Sequence, residues 1–149
     1  GLVDDKTSPE KIQEKLSQAI QLAHLTEDLE QLPNGIETII GERGVSLSGG
    51  QKQRLSLARA LMRDAEILIL DDCLSAVDAR TEKVIIEHLR SYAKGKTVVM
   101  STHRIAAITQ ATKIIVLTEG KLDAINTHSE LVKSHDFYSW LNKNQVENQ

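Results

Sequence analysis

A chain of 149 residues with 40% apolar and 26% charged residues is long enough for one domain with a sizeable core, and this composition excludes intrinsic disorder. The net charge of −3, with both signs interspersed, leaves no basic face for nucleic acid and no polybasic segment for a membrane surface. The single cysteine, Cys73, makes no internal disulfide, no apolar run approaches the ~20 residues that span a bilayer, and no basic-then-apolar leader opens the chain. The expectation is a cytoplasmic domain whose membrane connection, if it has one, lies outside this sequence.

The segment Thr7-Ser8-Pro9-Glu10 reads as a helix start, with Ser8 as the cap and Pro9 at the first helical position, where its missing N–H costs nothing. Ile12, Leu16, Ala19, Ile20 and Ala23 then keep helical spacing. A second, short helix begins near Thr26 and ends at the turn signal Leu32-Pro33-Asn34-Gly35. The stretch from Val45 to Arg54 starts a third. Ser48 is its cap, Gln51 stands three residues on as in a capping box, and Leu55, Leu57, Ala58, Ala60 and Leu61 continue an apolar face. Gly49 and Gly50 leave the first-turn amides bare, so a phosphate-sized anion can sit against free N–H groups and the positive end of the helix dipole. On Ser-x-x-Gln alone a well-capped surface helix is the favoured reading, and the residues from Ile67 onward overturn it.

Ile67 to Leu70 is a continuous apolar run, expected to be a strand buried on both faces, and it ends in Asp71 and Asp72. Asp78 caps a helix whose apolar positions Val84, Ile85, Leu89 and Tyr92 are expected to face a sheet, and Gly95 closes it. Thr97 to Ser101 is the next strand. Thr102-His103-Arg104 comes after it and leads into a short helix from Arg104 to Gln110. Lys113 to Leu117 and Leu122 to Ile125 form a hairpin across Glu119-Gly120-Lys121. Asn126 tolerates a left-handed backbone, Ser129 or Thr127 caps the last helical region, and a polar tail lies beyond Trp140 and Leu141. This alternation predicts an α/β fold in which helices cover a mainly parallel sheet, with a ligand at the carboxyl ends of the strands, where Asp71, Asp72 and His103 fall. One boundary, near Arg63-Asp64, divides a helical subdomain, 1–63, from an α/β part, 64–149.

Taken together, these segments resemble the nucleotide-binding domain of an ATP-binding-cassette (ABC) transporter, a P-loop NTPase-like ATPase. Leu47-Ser48-Gly49-Gly50-Gln51 is similar to the family's signature, Ile67 to Asp71 to its Walker B strand, Ser75 to Asp78 to its D-loop, and His103 to its switch histidine. The resemblance implies ATP and Mg²⁺ as cofactors, Asp71 holding the metal through water, His103 contacting the γ-phosphate, and Asp78 acting across a dimer interface. It implies a second ABC ATPase domain as partner, because each ATP lies between the Walker motifs of one cassette and the signature of the other. Gly41-Glu42-Arg43-Gly44 resembles the exporter segment that touches the transmembrane domain, which places the domain on the cytoplasmic side of the cell membrane.

Asp72 departs from the family, which has a glutamate there to polarise the attacking water. A general base contributes about 10²–10⁴-fold, so a carboxylate one methylene shorter implies a slow or idle site, as in the degenerate half of a heterodimeric multidrug exporter. The phosphate loop Gly-x-x-x-x-Gly-Lys-Ser/Thr is absent, no aromatic residue precedes Tyr92, and the chain opens without methionine. The expectation is therefore a C-terminal part of the ATPase domain of an exporter for multidrug or lipid-like substrates, inactive by itself. Two alternatives stand beside it: a soluble ABC ATPase outside transport, and a non-catalytic interaction module. Cys73 reads as a packed, inert thiol, and His24, His88, His128 and His135 lack metal-ligand spacing.

Overall fold

The computed structural model describes residues 8–41 and 44–146, so Thr7 of the expected helix start, Glu42 and Arg43 of the exporter-like segment, and the end of the polar tail lie outside the described residues. Two compact units divide the chain, one ending at Ser101 and the other beginning at Thr102.

The first unit opens with α1 (Pro9–Leu22), started by Ser8, whose hydroxyl accepts the Lys11 N–H, and by Pro9 in the first turn. After the short α2 (Thr26–Glu30) and a 3-10 turn at Gly35–Glu37 comes α3 (Gly49–Leu61). The capping box expected for α3 is present: the Gln51 N–H donates to Ser48 Oγ at 3.1 Å, and the Ser48 N–H donates to Gln51 Oε1 at 2.8 Å. Strand β1 (Ile67–Asp71) pairs in parallel with β2 (Thr97–Ser101), Asp71 opposite Ser101, and α4 (Ala79–Tyr92) connects them. α1 packs against both α3 and α4; the His88 ring meets the Leu22 carbonyl, and the Tyr92 hydroxyl donates to the Leu61 carbonyl.

Two expectations for this unit need correcting. β1 is buried on one face only: Leu68 and Leu70 are in the core, while Ile67 and Ile69 are 62% and 73% exposed. A continuous apolar run shows that both faces suit an apolar cover but not that a cover is present. The buried stripe of α4 is Glu82, Ile85, Ile86 and Leu89, with Val84 and Tyr92 only half-buried or less. That stripe keeps the i, i+3, i+4, i+7 spacing of a single helical face, and Ile86 takes the place expected for Val84.

The second unit contains α5 (Ile105–Ile108), the antiparallel hairpin β3 (Ile114–Thr118) and β4 (Lys121–Asn126), and the helices α6 (His128–Ser134) and α7 (Asp136–Val146). Glu119 and Gly120 both have positive φ, 51° and 73°, which gives the two-residue hairpin a twist matching its strands. Ile105, Ile114, Val116, Leu131 and Tyr138 form the core. Thr127 rather than Ser129 caps α6, through a capping box with Glu130. Asn126 ends β4 without a left-handed φ: it is paired with Ile114 in the β3–β4 ladder, and its side chain accepts the Thr127 N–H.

Candidate functional site

The first turn of α3 is the centre of the site in the first unit. Ser48 Oγ is occupied by the Gln51 N–H, and the Ser48 carbonyl accepts from Lys52 at 2.9 Å. Among the described residues the N–H groups of Gly49 and Gly50 have no hydrogen-bond partner, and they stand at the positive end of a 13-residue helix. Glycine is needed at 50 for a steric reason: a Cβ there would lie 2.8 Å from the Ala76 carbonyl oxygen. At Gly49 it would lie 3.5 Å from the Ala76 Cβ, an ordinary contact. Leu47 is half-buried, and Ser48 and Gly49 are exposed.

Gln53 fastens α3 to the turn after β1. Its Nε2 donates to Ser75 Oγ at 2.8 Å and reaches the Asp72 carbonyl at 3.5 Å, while its Oε1 accepts the Ala76 N–H at 2.8 Å. The signature-like segment and the Ser75–Asp78 segment, far apart in sequence, are thus held together by one carboxamide and one close backbone approach. Sequence reasoning missed this role for Gln53, because nothing in its own helix announces a partner 22 residues away.

Asp71 ends β1 as an exposed residue, and Asp72 comes next, also exposed, with φ at +43°. The Asp72 N–H donates to the Ser101 carbonyl at 2.9 Å, which prolongs the β1–β2 ladder by one bond before the left-handed backbone of Asp72 ends the strand. Asp78 Oδ1 accepts the Thr81 N–H at 3.0 Å as the N-cap of α4, and this bond holds its carboxyl below the usual range. Cys73 is half-buried, and burial pushes its thiol up, reinforced by Asp72, Asp71 and Glu82. The donors offered to a metal here are carboxylates of a single strand end. That fits a hard cation such as Mg²⁺, which takes one or two protein carboxylates and completes its shell with water and phosphate oxygens. Among the described residues no group of three or more His, Cys, Asp or Glu forms a closed metal cage.

His103 belongs to the second unit. Its carbonyl accepts a hydrogen bond from Gln145 Nε2 at 2.7 Å, and Gln145 Oε1 accepts the Ile105 N–H at 2.7 Å. A single α7 side chain therefore braces the backbone on both sides of Arg104, the N-cap of α5, which itself makes no side-chain cap bond. Three further histidines have structural partners: His88 with the Leu22 carbonyl, His128 with Tyr138, and His135 with Asp123.

The Gly41–Gly44 segment is described only at its ends. The Gly44 N–H donates to the Gly41 carbonyl, the Val45 N–H donates to the Ile39 carbonyl at 3.0 Å, and a Cβ on Gly44 would fall 2.1 Å from the Ile39 oxygen. Only glycine closes this loop. Ile39, 76% exposed, stands at its entrance.

The chain is similar to known proteins. The family profile described as "ABC transporter" matches residues 3–75. The chain is 52% identical over 124 residues to a probable multidrug resistance ABC transporter ATP-binding/permease protein, YheI, of Bacillus subtilis, covering 83% of this chain and 21% of that protein. It is 48% identical over 130 residues to the multidrug resistance-like ATP-binding protein MdlA of Escherichia coli, covering 87% and 22%. It is 43% identical over 136 residues to an ATP-dependent lipid A-core flippase of Vibrio cholerae, covering 91% and 23%. Among solved structures, a bacterial Atm1-family ABC exporter with ATP bound superimposes with a TM-score of 0.84 at 33% identity, covering 96% of this chain and 24% of that one. The chain thus spans less than a quarter of the length of these relatives. On the signature-like turn, the acid-ended strand and these matches together, the chain belongs to the ABC transporter family and carries part of its nucleotide-binding ATPase domain.

Proposed function

We propose that this chain is the signature-bearing part of the ATP-binding and ATP-hydrolysing domain of an ABC exporter, energising transport of a multidrug or lipid-like substrate. The observation that carries the reading is the first turn of α3, where unpartnered Gly49 and Gly50 amides stand beside Ser48 with Gln53 tying them to the Ser75–Asp78 turn. Leu47 to Gln51 would embrace the phosphates of an ATP bound mainly by a second ABC ATPase domain, with Asp78 acting across the same interface. Asp71, at the end of β1, would hold Mg²⁺ through water, and His103 would contact a γ-phosphate. Asp72 would be a shortened base, so that hydrolysis here is slow and the partner's site does most of the work. Residues 1–63 would form the helical lobe and residues 64–149 part of the α/β core. The Gly41–Gly44 loop would face the transmembrane domain, with the whole on the cytoplasmic side of the membrane. The names of the relatives, two multidrug proteins and a lipid flippase, support the substrate class.

Gly49→Asp in the assembled transporter tests the reading, because position 49 has room for a Cβ and the new carboxylate would stand where phosphate is expected. ATPase activity should fall by at least about tenfold with folding intact, the scale of one lost charge-assisted contact. Activity equal to that of the unsubstituted transporter would sink the proposal.

A further inference from the structure

Gln51 spends both ends of its carboxamide. Its Oε1 accepts the Ser48 N–H at 2.8 Å, and its Nε2 donates at 2.8 Å to Asp28 Oδ1 on α2. The Asp28 carboxylate also receives Arg54 Nη1 on Oδ2 at 2.6 Å and Arg54 Nη2 on Oδ1 at 3.1 Å, and Nη1 donates as well to the His24 carbonyl. Asp28 and Arg54 are largely buried, their side chains 22% and 12% exposed. A helix cap exposed to water frays readily, because each of its bonds competes with solvent. Here the capping glutamine is pinned from behind by a carboxylate, and that carboxylate is gripped in bidentate fashion by a guanidinium one turn further along the same helix. The pairing has an electrostatic consequence. An unpaired carboxylate behind the first turn of α3 would oppose an anion in front of it, and Arg54 cancels that charge locally.

We propose that Asp28, acting through Gln51 with its charge neutralised by Arg54, is a positioning residue for the segment Ser48–Gln51 where that segment meets nucleotide. The inference rests on the functional reading above for its last clause only. Asp28 touches no phosphate; it fixes the rotamer of the residue that fixes the turn.

Two measurements separate the parts. Amide hydrogen exchange of the chain, followed by NMR, should show Ser48 and Gln51 exchanging about three- to tenfold faster in Asp28→Leu, the scale of one lost hydrogen bond. Asp28→Asn keeps an acceptor for Gln51 and should show a smaller change, and Leu89 of α4 should be unaffected in both. Unchanged exchange at Ser48 and Gln51 overturns the proposal, as does equal acceleration at Leu89, which would reduce Asp28 to a general stabiliser. In the complete transporter, Asp28→Leu should raise KM for ATP by a similar factor, with partial rescue in Asp28→Asn. Faster exchange with an unchanged KM would uphold the positioning of the turn and defeat its assignment to nucleotide.

Discussion

Gly50 offers the sharpest test of how the candidate site is packed. In Gly50→Ala the new methyl would stand 2.8 Å from the Ala76 carbonyl oxygen, closer than a methyl carbon and an oxygen tolerate, with the Val77 Cα at 3.7 Å. The obstructing atom is main chain, so no rotamer change relieves the clash, and either α3 or the Ser75–Asp78 turn must move. Overpacking of this kind costs about 1–3 kcal/mol, and replacing glycine in a helix returns about 0.5–1 kcal/mol of backbone entropy. The expected net loss lies between about 0 and 2.5 kcal/mol and centres near 1 kcal/mol. Gly49→Ala is the internal control, since its methyl meets only the Ala76 Cβ at 3.5 Å and should be neutral or slightly stabilising. Trp140 lies in the second unit, so its fluorescence is the wrong probe for this event. Native-state hydrogen exchange at Leu57, Ala58 and Leu61 of α3 reads it directly, and about fivefold faster exchange is expected in Gly50→Ala alone. Equal effects of the two substitutions would refute the close approach of α3 to the turn as the reason for glycine at 50.

Gln53→Ala removes two well-formed hydrogen bonds and leaves the Ala76 N–H without its acceptor, so a loss of about 1–3 kcal/mol is expected by urea denaturation; Gln53→Glu, which keeps that acceptor, should lose less. Burial pulls the Asp28 carboxyl up, but the bonds from Arg54 and Gln51 outweigh it and hold the group below its usual range. Its contribution to stability is therefore fully present above the unfolded aspartate value of about 3.9 and is lost as pH falls through the lower folded value. Asp28→Asn should accordingly flatten the acid limb of a pH–stability profile, and an unchanged limb would count against the ion pair. Because burial raises the Cys73 thiol, iodoacetamide at neutral pH should alkylate it more slowly in the folded chain than in urea, and equal rates would contradict its packing.

Local chemistry makes much of this protein legible in the order of its residues. Ser48 with Gln51, Asp78 at the head of α4 and Glu119-Gly120 in the hairpin all appear where the sequence indicates them. Caps and tight turns are satisfied by atoms within four residues, so the chain states them on its own. The order of strand, helix and strand from Ile67 to Ser101 is equally plain from periodicity. What the tertiary structure alone decided is which distant groups meet. Asp28 lies 23 residues before Gln51 and Gln53 lies 22 before Ser75, while Gln145 reaches back 42 residues to His103. None of these pairings is announced by a sequence pattern, because a side-chain amide or carboxylate suits solvent as well as a buried partner. The exposed face of β1 teaches the same lesson from the other side: hydropathy states that Ile67 and Ile69 can be buried, and only packing determines whether they are.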